Sequence, residues 1–414
     1  MLTETSERRP PAAAVPASSL HAAFRSAEQW ESRHGRRAIK LQVGEPAYPM
    51  PTAVREAMAA AVRAGDCAYT SAEGSVTLRD ALAARLNGHG LDTDPERVFV
   101  TPGSCQGLWA VLTSIVTPGA AVLIPELHWP IYRQQAILTG FTPIGYPLRA
   151  DYTPDPDGIA AAAASIAAPG GGTDGDRPTR VAAIIVNSPA NPTGAITPVD
   201  DLARILELAD RHDWAVISDE AYQDFVYRGR HSSTAALEAD RQPAARRVFS
   251  TFSFSKSHAM TGCRVGYVTA PDSTRADVLR RVQESCIIAP PTPAQRGAMA
   301  GLATDREVEA NATHVHDNLA AVAGRLSAAG MVNNVPAGGW YALLDVTESG
   351  LDAGRFAERL LEDAGVAVAP AAAFALPGDD RSSKLIRISL AGDRAELTAG
   401  VDAIIAQHRA GGVR

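Results

Sequence analysis

The sequence predicts an α/β fold organised around a mostly parallel sheet. Two observations carry that prediction. Short apolar runs rich in Val and Ile recur at residues 98–100, 121–124, 181–186, 215–217 and 248–249, and uninterrupted runs of this kind fit strands buried on both faces. Each run is followed by a turn and a helix-like stretch, the alternation that joins parallel strands side by side. At 414 residues, 46% of them hydrophobic, the chain has the length of roughly two to three domains and an ample core.

Taken in order, residues 1 to about 18 are charged, rich in Pro and Ala and without periodicity. They bury too little apolar surface to offset the entropy of ordering and are expected to form a flexible tail. Leu202, Ile205, Leu206 and Ala209 fall at helical spacing and predict the clearest connecting helix. The Gly- and Asp-rich run from Pro169 to Pro178 reads as a surface loop. Pro290, Pro291 and Pro293 mark an expected hinge, after which an Ala-rich helical region extends to about Gly330. Residues 340–346 and 384–390 then read as strands of a smaller α/β unit.

Composition excludes several classes of function. A formal charge of -7, with 46 acidic residues spread along the chain, leaves no basic surface for a phosphate backbone, so no nucleic acid is expected as a partner. Cys67, Cys105, Cys263 and Cys286 form neither a CxxC pair nor a zinc-finger spacing, so neither a disulfide scaffold nor a metal site is expected. The run after Arg8-Arg9 is broken by Pro10, Pro11 and Pro16, and no stretch of about 18 apolar residues occurs. A cytoplasmic protein with no membrane association is the expectation.

In open α/β sheets, ligands bind beyond the carboxyl ends of the strands, so chemistry-bearing groups should follow the apolar runs. Asn191 follows the run at 181–186, Asp219 and Tyr222 that at 215–217, and Ser253 and Lys256 that at 248–249. Gly103, Ser104 and Cys105 open a helix after the run at 98–100. A lysine at a buried strand end forms a Schiff base once desolvation and nearby cations expose its lone pair. An aspartate holds a pyridine nitrogen protonated, and a helix start offers free N–H groups to a phosphate. Arg264 can add a guanidinium to the same phosphate. Singly, each has a plain alternative: the Gly-Ser pair and Asp219 as helix caps, Lys256 as a surface lysine. Order and spacing favour the joint reading, with 28 residues from Asn191 to Asp219, 37 more to Lys256 and 8 to Arg264. Only three of the 39 basic residues are lysines. Lys40 and Lys384 are expected at solvent-exposed positions, which leaves Lys256 for amine chemistry.

The segments Asn191-Pro-Thr-Gly194, Asp219-Glu-Ala-Tyr222, Ser253-Phe-Ser-Lys256 and Gly262-Cys-Arg264-Val-Gly266-Tyr267 resemble the motifs of the fold type I, class I/II aminotransferases, which use pyridoxal 5'-phosphate (PLP). The likeness runs from Leu41 to Leu390. It implies a large PLP-binding domain over residues 56–290 with a mostly parallel seven-stranded sheet. Residues 291–414 would form a smaller α/β domain, and residues 19–55 an N-terminal arm and part of that small domain. By the same resemblance Lys256 carries the cofactor and then moves the substrate's Cα proton. Asp219 pairs with the pyridine nitrogen, and Tyr222 and Asn191 bond the ring's 3'-oxygen. Trp129 stacks on the ring, while Ser104, Cys105, Ser253 and Arg264 form the phosphate cup. Arg387 clamps the substrate's α-carboxylate through a two-pronged bond, with Asn191 and Gly44 also on the substrate side. Tyr69 reaches the partner subunit's phosphate, which implies a homodimer with shared active sites.

The implied reaction moves an amino group between an L-amino acid and a 2-oxo acid. A lyase, cyclase or oxidase of the same fold would use the same residues. Two departures from the family pattern, Cys263 in place of a common tryptophan and the run Gly338-Gly-Trp340-Tyr341, are expected to reshape the side-chain pocket. Residues 281–290 place no arginine where an aspartate-specific branch uses one, which argues against acidic substrates. His258 is expected to be structural.

Overall fold

The computed structural model describes residues 11–17, 19–167, 178–332 and 334–411. Seven strands form one sheet: β1 Val98–Thr101, β2 Ala120–Pro125, β3 Thr142–Tyr146, β4 Arg180–Asn187, β5 Ala215–Asp219, β6 Val248–Ser253 and β7 Gly266–Thr269. Their spatial order is β1-β7-β6-β5-β4-β2-β3. Only β7 runs against its neighbours; the pairs among β2 to β6 are parallel. All five apolar runs are strands. The two strands outside those runs have little apolar signal to offer: β3 reads Thr-Pro-Ile-Gly-Tyr on the sheet's edge, and β7 has four residues beginning with glycine.

The helices that frame the site are α1 Ser19–His34, α2 Thr52–Arg63, α3 Ser104–Ser114, α4 Pro130–Leu138, α5 Val199–His212, α6 Thr292–Gly301 and α7 Asp305–Ala328. The period-2 alternation of a strand sends its side chains to both faces of the sheet. Ile124, Ile185, Ile217 and Phe249 pack under α3 and α4, while Ile184, Val186, Val216 and Val248 pack under α5. From α5 the buried Leu202, Ile205, Leu206 and Ala209 complete the second face, each large side chain contributing about 1.5–3 kcal/mol by leaving water. An Ile205→Asp change would put an unpaired charge at the centre of that contact.

A second, antiparallel sheet holds β8 Tyr341–Asp345, β9 Ala369–Pro370 and β10 Leu385–Ser389 in the order β9-β10-β8. It packs against Val315, Leu319, Val322 and Leu326 of α7. Ile39–Lys40 pairs in parallel with Val366–Ala367, and Trp30 of α1 lies where a Cβ on Gly365 would strike its ring. The N-terminal arm is thereby fastened to the smaller unit.

Packing changes later in the chain than the expected step at residues 290/291. Ala294 and Ala298 of α6 join Val54 of α2, Val100 and Phe252 in one cluster against the large sheet. Gly297 lies tight against Met58, so it is the small residues of α6 that permit the close approach to α2. The expected tail is likewise not featureless: Pro11–Ala14 form a short helix, and the Pro16 carbonyl accepts a hydrogen bond from Gln134 Nε2 at 3.4 Å. Residues 1–10 and, apart from Pro178, the expected loop at 169–178 lie outside the described residues. No helix among the described residues is long and apolar enough to cross a membrane.

Candidate active site

The carboxyl ends of β4, β5 and β6 lie side by side, with Asn187 opposite Asp219 and Asp219 opposite Thr251. A cavity of about 380 Å³ opens there, within the roughly 300–1,000 Å³ of small-molecule sites. Asp219 is buried at its floor. Tyr132 donates its hydroxyl to Asp219 Oδ2 at 2.6 Å and the Ala221 N–H reaches Oδ1 at 3.1 Å. Burial pushes the Asp219 carboxyl above its ordinary value, against the pull of those two hydrogen bonds. Lys256 stands in the short helix Phe254–Ser257, which Ser253 caps by accepting the Ser255 N–H at 3.1 Å. Its Nζ lies 4.6 Å from the Trp340 ring centre, 5.7 Å from that of Tyr222 and 3.5 Å from the Gly44 carbonyl oxygen.

Arg387, on β10, faces the same cavity and is only 3% exposed. Its Nη1 donates to Asn191 Oδ1 at 2.9 Å and its Nη2 to the Gln42 carbonyl at 2.7 Å. The guanidinium is stacked between Tyr341 and Phe374, 3.9 and 4.2 Å from the ring centres. Its Nε has no partner, and no acidic side chain pairs with it among the described residues. Burial holds its pKa below the ordinary value. A buried cation without an anion is costly, and a ligand carboxylate would remove that cost. Beside it, burial and the Tyr341 hydroxyl, 3.5 Å away, push the Tyr222 phenol well up. For Tyr341, burial also acts upward, but Arg387, Lys256 and the hydrogen bond from Tyr222 together lower the phenol.

The other end of the cavity is shaped for an anion. Gly103 precedes α3 with φ +77°, and a Cβ there would collide with the Arg264 guanidinium. Arg264 itself has φ +54°, a left-handed conformation that costs a non-glycine residue about 1–2 kcal/mol. Its Nη1 donates to the Thr261 carbonyl at 2.7 Å. A Cβ on Gly266 would lie 2.6 Å from the Phe252 carbonyl and 2.7 Å from the Ser104 nitrogen, so backbone closes in where the first N–H groups of α3 point outward. Ser104, Cys105, Ser253 and Ser255 line this end. Helix start, hydroxyls and guanidinium together suit a phosphate.

Residues 36–404 match the family of class I and II aminotransferases. The chain belongs to that family. It is 31% identical over 361 residues to the aspartate/prephenate aminotransferase of Thermus thermophilus, covering 85% of this chain and 87% of the relative. It is 30% identical over 394 residues to the valine–pyruvate aminotransferase of Mycobacterium tuberculosis, covering 93% and 94%. The crystal structure of an aminotransferase from Mycobacterium tuberculosis superposes with a TM-score of 0.85 at 27% identity, over 98% of this chain and 100% of the other.

In this aminotransferase the residues expected from sequence largely meet. Gly44, Trp129, Asn191 and Tyr222 line the same cavity as Lys256, Asp219, Arg264 and Arg387. Tyr69 does not: it is 82% exposed and is not among the residues that line the cavity. His258 is buried between the Ser257 hydroxyl at 2.9 Å and the Gly301 carbonyl at 3.1 Å, outside the cavity. Three expectations need correction. Cys263 reshapes no pocket, because its Sγ packs 3.8 Å from Met58 Sδ and away from the cavity. Lys40 is half-buried and tied to Glu31 at 2.9 Å rather than free in solvent, and Lys384 is half-buried as well. Sequence reasoning missed Tyr132, Gln42, His21 and Phe24 as lining residues. Tyr132 had a signal: it follows Trp129 by three positions at the start of a helix opened by Pro130, which puts both on one face.

Proposed function

We propose that the cavity holds PLP and transfers an amino group from an L-amino acid to a 2-oxo acid. The observation that supports this best is the meeting of an amine, a buried carboxylate and a buried guanidinium without an acidic partner among the described residues: Lys256, Asp219 and Arg387. The residues fit the cofactor at both ends. The cradle that a Cβ on Gly103 would fill suits its phosphate, with Ser104, Cys105, Ser253 and Arg264 around it. Asp219, raised by burial, gains most from a cationic ring nitrogen beside it. Trp129 would cover the ring, and Tyr222 and Asn191 would meet its oxygen.

When bound, PLP supplies an aldehyde that condenses with amines and a ring that draws electrons from the substrate's Cα. The chain's own groups do the rest. Arg387 receives the α-carboxylate at its fork, with Asn191 already bonded to one prong. Gly44 lets the backbone close on the same substrate, and its carbonyl lies 3.5 Å from Lys256 Nζ. Lys256 Nζ would take the proton from the donor's Cα and, in the return half of the reaction, give one to the Cα of the acceptor from the same side. The Trp340 and Tyr222 rings shield that nitrogen from water. The exposed Tyr69 would complete the phosphate site of the partner subunit in a homodimer.

The test is spectroscopic and stoichiometric. Protein mixed with PLP should show an absorbance band at roughly 330–430 nm, and a donor amino acid alone should shift it while releasing its 2-oxo acid. A different 2-oxo acid should restore the band and emerge as a new amino acid. No band after PLP addition overturns the cofactor. Release of ammonia without a transferable amino group overturns transamination in favour of a lyase or oxidase.

A further inference from the structure

The amine and the carboxylate clamp of the proposed reaction stand on different parts of the molecule. Lys256 follows β6 of the large sheet, whereas Arg387 belongs to β10 of the small one. One amino acid has to reach both, with its carboxylate at Arg387 and its Cα proton at Lys256, and carboxylate and Cα are a single bond apart. The spacing between the two side chains must therefore be held tightly.

The helix that carries Lys256 is too short to hold itself. Phe254–Ser257 is a single turn, and the carbonyls that end a helix find no partner within it. The Lys256 carbonyl receives a stretched 3.4 Å bond from the Ala259 N–H, and Ala259 has a left-handed backbone with φ +50°. Two side chains from distant parts of the chain supply better donors. Tyr48 donates its hydroxyl to the Lys256 carbonyl at 2.9 Å. Asn311, buried on α7, donates its amide to the Ser257 carbonyl at 2.8 Å. Burial pushes the Tyr48 phenol up, so it stays a donor at neutral pH.

Tyr48 is itself tied to the clamp. The segment 41–47 is stitched along β10 and the residues that follow it. The Ser389 N–H donates to the Leu41 carbonyl at 2.7 Å, Arg387 Nη2 to the Gln42 carbonyl at 2.7 Å, and the Ala47 N–H to the Ala391 carbonyl at 2.9 Å. Ala47 directly precedes Tyr48. Arg387 is thus joined to the Lys256 backbone by a short run of hydrogen bonds within one chain. Neither Tyr48 nor Asn311 lines the cavity.

We propose that Tyr48, supported by Asn311, is a positioning residue that fixes the lysine turn at the distance from Arg387 at which one amino acid touches both. The inference rests on the transamination reading and adds to it a residue outside the cavity.

Tyr48→Phe tests it, since it removes the donor and keeps the ring's edge contacts with His314 and Trp340. In the PLP-loaded protein, amide hydrogen exchange of a peptide spanning residues 254–259 should quicken about tenfold, with the large sheet unchanged. The limiting single-turnover rate with a donor amino acid should fall about tenfold, part of the roughly 100-fold that an ångström of misplacement costs. The donor concentration at half-maximal rate and the affinity for PLP should stay within about twofold. Deuterium at the donor's Cα should slow the variant more than the wild type, because proton transfer to Lys256 is the step that loses alignment. Asn311→Leu should repeat the pattern. Unchanged exchange, or a wild-type rate and isotope effect in Tyr48→Phe, overturns the positioning role and leaves the transaminase reading intact. A slower rate matched by an equal loss of PLP affinity or of thermal stability overturns it too, in favour of a purely structural role. A wild-type protein that binds PLP but transfers no amino group sinks both.

Discussion

Gly44 leaves no room for a side chain, because a Cβ would overlap the Tyr341 hydroxyl. That ring is buried and stacked on Arg387, so it cannot move aside without moving the guanidinium. Gly44→Ala should therefore lower kcat/KM by about 100-fold, the effect of roughly an ångström of misplacement at a reacting centre. Thermal unfolding should change little, and comparing the two measurements separates positioning from folding. Lys256→Ala should abolish borohydride-fixed cofactor altogether, with phosphate-end binding retained. Lys256 was legible in sequence, because it follows an apolar run and the strand-end rule gives such a position a reason, whereas Gly44 and Arg387 came from the family resemblance. Tyr132 was not read, although its place three positions after Trp129 on a helix opened by Pro130 offered a signal. Neither was Phe24, whose helix lies in the stretch read only as an N-terminal arm and part of the small domain.

The turn between β1 and α3 is the element on which the anion end depends. Gly103 supplies both a positive φ and the gap for Arg264. Gly103→Ala would demand a left-handed alanine, costing about 1–2 kcal/mol, and would displace the guanidinium as well. The expected outcome is at least about a tenfold weaker affinity for PLP in a fluorescence titration, with inorganic phosphate losing affinity in parallel. At this scale the five buried strands and the helix Val199–His212 were legible because burial on a sheet and on a helix leaves different periods. The edge strand Thr142–Tyr146 was not, being only half-buried and interrupted by Pro143 and Gly145. The prolines at 290–293 misled for a physical reason. Pro is at home in the first turn of a helix, where its missing N–H has no intrahelical role, and here Pro293 simply opens α6 without marking a boundary between packing units.

Across the whole molecule, His128 gives a pH signature. It is buried, its Nδ1 lies 2.9 Å from the Pro125 carbonyl oxygen, and its backbone N–H donates to the Phe374 carbonyl at 2.7 Å, joining the two sheets' surroundings. Burial lowers its pKa from 6.5 to about 4. The unfolded chain then binds the proton that the native state refuses, so stability is complete above pH 6.5 and falls as pH drops toward 4. The loss amounts to about 3 kcal/mol at most, and urea unfolding of His128→Asn should lack that part of the slope. The proposed sharing of sites predicts complementation: mixing inactive Tyr69→Ala and Lys256→Ala homodimers and letting subunits exchange should restore about a quarter of wild-type activity, since half the dimers would be mixed and each would own one intact site. No recovery would mean that Tyr69 serves its own chain or none. The ion pair of Lys40 with Glu31 has a practical side. With 36 of its 39 basic residues arginine, the chain is nearly blank to amine-directed acylating reagents. Lys40 is masked by its carboxylate and Lys384 is half-buried. Acylation read lysine by lysine in a peptide map would thus serve as an occupancy gauge, in which a cofactor or inhibitor is detected by the loss of the Lys256 signal that the free protein gives, with little background from the other two lysines.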